Sequence, residues 1–329
     1  MDKLNYFSRC AVLNGVKELV SSLNVDPYHL LDEVGLPRSA FSDDNLLVPT
    51  KQIMELFALA ATKTGDDNFG LKLGSSRTFP ILGTIGLIMR EQPTVRHAIG
   101  IMQDTIWTHL QGLSLVAEDD DTYFNLNIIV APELAVDHRH PIESSAASLT
   151  RIIQHFLGPN WRPEAVGFMH PAPTNVLDHK VFFGSRPIFG HDRNTLIIKS
   201  RELSAAIPNS NPNLGNELTR YLSSVVGDRH TSFKTRAREA MILLLPRGDC
   251  TSDALAHHFG FTRRTLHRKL IEEGTTFRDL LHELRLEQMR SFAKLTNYSQ
   301  SEIAERLGFS CLSAFSRWKH NTRSVFTIT

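Results

Sequence analysis

Four basic side chains cluster near the end of this 329-residue chain: Arg263, Arg264, His267 and Arg268, with Lys269 beside them. Guanidinium groups donate paired hydrogen bonds to phosphate oxygens and to the O6 and N7 edge of guanine. A short helix this basic therefore suits contact with double-stranded DNA. Thr262 precedes the cluster and Thr265 sits within it; a hydroxyl at the first of these places can cap the helix. A second, less basic set follows as Ser310, Ser313, Ser316, Arg317 and Lys319. It offers fewer charges, so it is expected to add less affinity.

The elements that must hold these side chains are written as a repeat. Leu255-Ala256-His257-His258-Phe259-Gly260-Phe261-Thr262 is matched, at one constant offset, by Ile303-Ala304-Glu305-Arg306-Leu307-Gly308-Phe309-Ser310. In each copy an apolar-Ala pair and an apolar residue three places on give a short helix its inward face. The Gly permits a tight turn, and Thr262 or Ser310 caps the helix that follows. Leu266 and Leu270, four apart, pack inward with Leu255 and Phe259; Phe315 does the same in the second copy. A solvated basic face is the plainer reading of the first helix alone, and the repeat argues against it. Two helix-turn-helix units in one chain can present two recognition helices to successive major grooves, roughly 34 Å apart.

From about Pro246 to Lys319 the sequence resembles the DNA-binding domain of the AraC/XylS family of transcriptional regulators. The residues that carry the likeness are Ala256, the run Gly260 to Leu266, Arg268-Lys269-Leu270, Glu272 to Phe277 and Leu284-Arg285-Leu286. It continues through Ile303-Ala304-Glu305, Leu307 to Ser310 and Ser313 to Arg317. The resemblance implies two helix-turn-helix units joined by a long central helix, here Phe277 to Leu295, with the helix after each turn in the major groove. It further implies contact with RNA polymerase and activation of transcription more than repression. The likeness breaks after Trp318. Family members continue with an aromatic-basic stretch, a Gly and a Ser-Pro before a final helix. No Gly or Pro follows Gly308 here, and Val325 to Thr329 has strand-like composition. An imperfectly packed second unit is expected from this, with a DNA-binding-defective sensor as the alternative.

Charge is divided along the chain in a way that fits. From Lys234 onward there are 16 Lys and Arg against 10 Asp and Glu; the chain before Lys234 carries 20 against 25. A basic C-terminal module beside a mildly acidic one suits nucleic-acid binding at one end only. The length is enough for two domains with a core each, and 41% hydrophobic with 22% charged residues is ordinary for a globular protein. Cys10, Cys250 and Cys311 are sparse, odd in number and without CxxC spacing, as expected of reduced cytoplasmic thiols. Neither a secretory leader nor an apolar run long enough to span a bilayer is visible, so no membrane partner and a cytoplasmic location are expected.

The first two-thirds mixes helix and strand signals, an α+β pattern ahead of an all-α DNA-binding domain. Helices are expected over Cys10 to Leu23, from Pro27 to Gly35, Thr50 to Thr64, Pro93 to Leu110, Ile142 to Leu157, near Asn175 to Phe182, Leu214 to Val226 and Ser232 to Leu245. Strands are expected at Leu113 to Val116, Thr122 to Val130, Ala165 to Met169 and Thr195 to Ile198, with Glu118 to Asp121 as an acidic turn. Ile207 to Asn213, rich in Pro, Asn and Ser, reads as a linker. The domains are then 1–206 for effector binding and dimerisation, 207–231 for a linker and connecting helix, and 232–329 for DNA binding.

Phe69-Gly70-Leu71-Lys72-Leu73-Gly74, Leu82-Gly83-Thr84-Ile85-Gly86, Gln92 to Ala98, Phe182-Phe183-Gly184 and Ala206-Ile207-Pro208 resemble the arabinose-binding-like effector domain of one branch of the same family. That resemblance implies a small organic effector and a homodimer. Phe79, Trp107, Trp161 and Phe168 could line an apolar pocket, with Arg90, Arg96 or His109 fixing a polar end; alternatively the aromatics are core and the charges are surface. An enzyme carrying a DNA-binding appendage is the rival class. No Gly-x-Ser-x-Gly elbow or phosphate loop occurs, and no cysteine sits in a reactive setting. Asp137-His138-Arg139-His140 is the one His-rich stretch. It reads as a loop before Pro141, solvated or hydrogen-bonded, sooner than as a metal site, and no cofactor is expected.

Overall fold

The computed structural model describes residues 6–131, 134, 138–184, 187–226, 233–246, 248–259, 261–295 and 298–322. The chain splits into two compact units, Met1–Asp228 and Arg229–Thr329.

The first unit is α+β. Its five-stranded sheet runs in the order Leu113–Asp119, Tyr123–Val130, Thr195–Lys199, Ala165–Phe168 and Pro187–Phe189. Neighbours are antiparallel except the last two strands, which run parallel. A two-stranded sheet of Phe7–Arg9 and Leu47–Pro49 and the strand Pro187–Phe189 were not anticipated; strands this short show no period. The acidic turn is shorter than expected. Glu118 and Asp119 remain in their strand, where they pair with Arg193 and Arg96. Asp120 makes the turn, its Oδ1 accepting from the Thr122 and Tyr123 amides.

Several helix ends follow the local chemistry. Pro27 opens Pro27–Val34, the Asp26 side chain accepts from the Tyr28 amide, and Gly35 closes the helix in the left-handed region. The Cys10 to Leu23 expectation needs correction. Cys10–Leu13 is a 3-10 turn, Gly15 at φ 90° breaks the path, and the α-helix is Val16–Ser22. The His-rich stretch likewise forms no loop before Pro141. Arg139–Leu157 is one helix, and His140 is buried in its first turn with its Nδ1 accepting from the Gly70 amide. Asp137 lies outside the described residues.

Helix Phe69–Ser76 lies unusually close to Arg139–Leu157. A Cβ on Gly70 would stand 2.3 Å from the His140 carbonyl oxygen, and one on Gly74 would stand 2.2 Å from that of Ser144. The two glycines, one turn apart, are what let the backbones meet. Around this contact lie two apolar clusters. One joins the sheet to the helices Thr84–Arg90, Val95–Thr105 and Arg139–Leu157; the other gathers the N-terminal part, from Cys10 through Leu73, about Leu30, Leu56 and Phe69. Within the segment read as a connection, helix Pro212–Val226 packs on Thr84–Arg90 of the first unit.

The second unit is all helical: Phe233–Leu244, Ser252–His258, Arg263–Glu272, Phe277–Leu295, Gln300–Arg306 and Leu312–Asn321. Leu255, Leu266, Leu270, Leu280 and Leu284 share one small core. Met289, Ile303, Leu307 and Phe315 share another, closed by Phe309 and Trp318. The second helix-turn-helix thus has a packed interior up to Asn321; the strand-like residues 325–329 lie outside the described ones. No helix among the described residues is long and apolar enough to cross a membrane.

Candidate nucleic-acid interface

The sequence repeat is a repeat of hydrogen bonds. Thr251 caps Ser252–His258 by accepting from the Ala254 amide; Ser299, at the repeat's own offset, caps Gln300–Arg306 by accepting from the Glu302 amide. After the first helix of each unit, the Phe261 amide donates to the Ala256 carbonyl at 2.8 Å; the Phe309 amide donates to that of Ala304 at 2.9 Å. Gly308 sits at φ +67° with the Leu245 carbonyl 2.6 Å from where a Cβ would be. Gly260, its counterpart, lies outside the described residues.

Beyond the turn the register slips by one. Arg263–Glu272 is capped by Thr262, whose hydroxyl accepts from the Thr265 amide. Ser310 was expected to cap in the same way and does not. The second helix, Leu312–Asn321, starts one position later with Cys311 at its N-cap and no side-chain cap bond. Its faces therefore match those of the first helix one position beyond the repeat's offset. Leu266 and Phe315 are the buried pair in that register. Arg264, His267 and Arg268 correspond to Ser313, Ser316 and Arg317, and all six are exposed. Each trio occupies positions i, i+3 and i+4, which share one helix face.

The flanking residues divide. Arg263 is exposed and stands 3.7 Å from Asp253, and Arg268 stands 3.7 Å from Glu272, both loose solvent-facing pairs. Thr265 is half-buried. Lys269 turns back over the Phe233 and Phe261 rings, and Lys319 over the Phe315 ring with its Nζ donating to Gln300. These two lysines stand apart from the exposed trios.

One residue beyond the sequence-derived set holds the second turn in place. Arg285, on the central helix Phe277–Leu295, donates from Nε to the Leu307 carbonyl and from Nη2 to that of Gly308. Its guanidinium lies 4.0 Å over the Phe309 ring. Leu284-Arg285-Leu286 marked the family likeness, but nothing in those letters says that the arginine reaches a turn well beyond its own helix.

Of the residues expected to line an effector pocket, His109 alone borders the cavity found inside the first unit among the described residues. A cavity of about 80 Å³ lies within the first unit, where its two apolar clusters adjoin, and His109 is part of its wall. Phe79, Arg90, Arg96 and Trp107 are not. Phe79 stacks on His155 at 4.0 Å. Arg96 is held by Asp119 and Ser200 over the Phe124 ring. The Trp107 indole donates to the Asp104 carbonyl, and Arg90 is exposed. Trp161 is tied to Glu202, and Phe168 is core. Burial lowers the pKa of the His109 imidazole to about 4, with Arg9 and Arg77 repelling its charged form as well. Arg77, which the sequence did not single out, shares this cavity. Its Nη1 donates to the Ser144 and Ser148 hydroxyls, and its Nη2 to the Val12 carbonyl.

Two packed helix-turn-helix units, each with an exposed helix face just beyond a corner of matched geometry, define a DNA-binding protein. The comparisons with known proteins agree. Residues 25–207 match the family model described as the arabinose-binding domain of AraC transcription regulator, N-terminal, and residues 255–322 match that of a helix-turn-helix domain. The chain belongs to the AraC family of DNA-binding transcription regulators, a non-enzymatic family. It is similar to the HTH-type transcriptional regulator VirS of Mycobacterium tuberculosis, 23% identical over 321 residues, covering 96% of this chain and 93% of that one. The ornithine utilization regulator of Pseudomonas aeruginosa is 23% identical over 312 residues, 93% of this chain and 91% of its own. The transcriptional activator NphR of a Rhodococcus species is 33% identical over 102 residues, 31% of this chain and 30% of its own.

Proposed function

We propose that this chain is a cytoplasmic, homodimeric transcription activator switched by a small organic effector. Residues 1–206 bind the effector and dimerise, 207–231 connect, and 232–329 hold the promoter and meet RNA polymerase. The observation that carries this reading is the pair of matched exposed trios on two helices of one unit. Arg264, His267 and Arg268 face one major groove and Ser313, Ser316 and Arg317 the next. Thr262, Arg263, Thr265 and Ser310 flank them toward phosphates, and Lys269 and Lys319 add positive charge behind. The effector acts by binding one arrangement of the chain more tightly than another, which shifts the population able to grip DNA.

The test is a footprint of the full-length protein on the DNA upstream of its own gene, against a scrambled duplex at fixed salt. Protection over two adjacent major grooves is expected. Protection of a single groove would show that the second unit does not read DNA. If no specific protection appears, either alone or with any compound of an effector screen, the reading is overturned in favour of a sensor that has lost its DNA contact.

A further inference from the structure

We propose that the cavity between the two apolar clusters of the first unit is the effector site, and that its ligand is a small organic carboxylate with an apolar body. The proposal deepens the effector part of the function above and rests on it. The site is built around Arg77. Arg77 is half-buried with its Nε wholly enclosed; burial lowers its pKa to about 10, and among the described residues no carboxylate offsets that. An enclosed guanidinium ordinarily stands against an acid, because an unpaired buried charge is costly. Arg77 instead has three neutral acceptors: two serine hydroxyls and the Val12 carbonyl. They occupy part of its five-donor fork and supply no negative charge. Its Nε is buried with no partner.

His109 is the second observation. It is 5% exposed, its Nδ1 is buried without a hydrogen-bond partner, and it lines the same cavity. A neutral imidazole there carries one N–H donor and one acceptor. The rest of the wall, Ser145 apart, is apolar, with Met102, Leu113, Leu115, Leu149 and Ile152 among its lining. The wall therefore divides in kind between a positive fork, hydroxyls and an imidazole, and a larger hydrocarbon lining. That division matches a carboxylate head, which an arginine holds by two parallel bonds, on a short apolar tail. Size narrows the tail. An apolar cavity of about 150 Å³ takes up benzene, whereas this one is about 80 Å³. Propanoate comes nearest to fitting as the walls stand, and a chain as long as pentanoate's, one non-hydrogen atom larger than benzene, requires the leucines to move.

The experiment uses wild-type full-length protein and two matched series of probes: propanoate, pentanoate and hexanoate, and the corresponding amides. Titration calorimetry and thermal unfolding are read for each. The expected result is saturable pentanoate binding with a raised unfolding midpoint, at least tenfold tighter than pentanamide. Arg77→Met should erase that preference. The acid–amide comparison in the wild type decides the matter even if that variant does not fold. No acid binding, or acid and amide binding equally, overturns the proposal and leaves Arg77 as a peg joining Val12 to the helix Arg139–Leu157. Footprinting with pentanoate present keeps the two readings apart. An acid that binds without altering DNA protection supports the site and removes effector control by it. A footprint that answers only to some other compound, with no acid bound, does the reverse.

Discussion

Arg285 donates from Nε to the Leu307 carbonyl at 2.9 Å, and so ties the helix between the two DNA-reading units to the turn of the second. Arg285→Ala leaves the Leu307 and Gly308 carbonyls without their donor and Phe309 without its flat partner. The loss should be about 2–3 kcal/mol, as for hydrogen bonds from a charged group. Urea unfolding checks the stability, and a footprint should keep the first groove while losing the second. Arg285→Lys should recover only part, because an ammonium cannot make both bonds and stack.

Gly308 and Gly274 form an internal control for backbone strain. Both lie at positive φ, +67° and +70°, but a Cβ on Gly274 meets nothing within 4 Å, whereas one on Gly308 stands 2.6 Å from the Leu245 carbonyl. Alanine at Gly274 should lose about 1 kcal/mol, the penalty of the left-handed region alone. Alanine at Gly308 must lose distinctly more, since backbone cannot swing aside. Equal unfolding midpoints for the two variants would refute the close approach.

Arg264→Ala and Arg268→Ala should each weaken specific DNA binding. A residue that reads a base loses about 1–3 kcal/mol at one position of the site; one that holds a phosphate weakens all sequences alike and lowers the salt slope by about one. Ser313→Ala and Ser316→Ala, with no charge to lose, should leave the salt slope unchanged. Wild-type affinity and slope in both arginine variants would remove the first recognition helix from the interface.

His109 makes stability depend on pH in a defined direction. Burial, then Arg9 and Arg77, holds its pKa at about 4, against 6.5 for the free side chain. As pH falls below 6.5 the unfolded chain takes up this proton and the native chain does not, so stability present at pH 7 drains away until about pH 4. The full contribution is about 3 kcal/mol, with a slope approaching about 1.4 kcal/mol per pH unit. His109→Gln removes it. Denaturant midpoints between pH 7 and pH 4 should therefore fall less steeply in that variant than in the wild type.

Much of the DNA-binding half was written in the letters. Helix, turn and cap are local: Thr251, Ser299 and Thr262 each bond an amide within the next turn, and the sequence repeat announced the units that hold them. Helices such as Thr50–Thr64 were legible for the same reason, bounded by Pro49 and by Gly65 in the left-handed region. Tertiary structure decided what depends on distant neighbours. The inward place of Phe315 was legible, but not that the helix starts one position late, with Cys311 at its N-cap, so that Ser310 does not cap although Thr262 does. Arg285 and Arg77 are two arginines among many in the sequence, and only packing gives one a turn to hold and the other a cavity to face. Of the expected effector residues only His109 borders that cavity, because a cavity is lined by whatever the helices and sheet bring together from far along the chain. Single residue types carry no record of that meeting: Phe79, Arg96 and Trp107 each found a nearer partner, and the His109 Nδ1 did not.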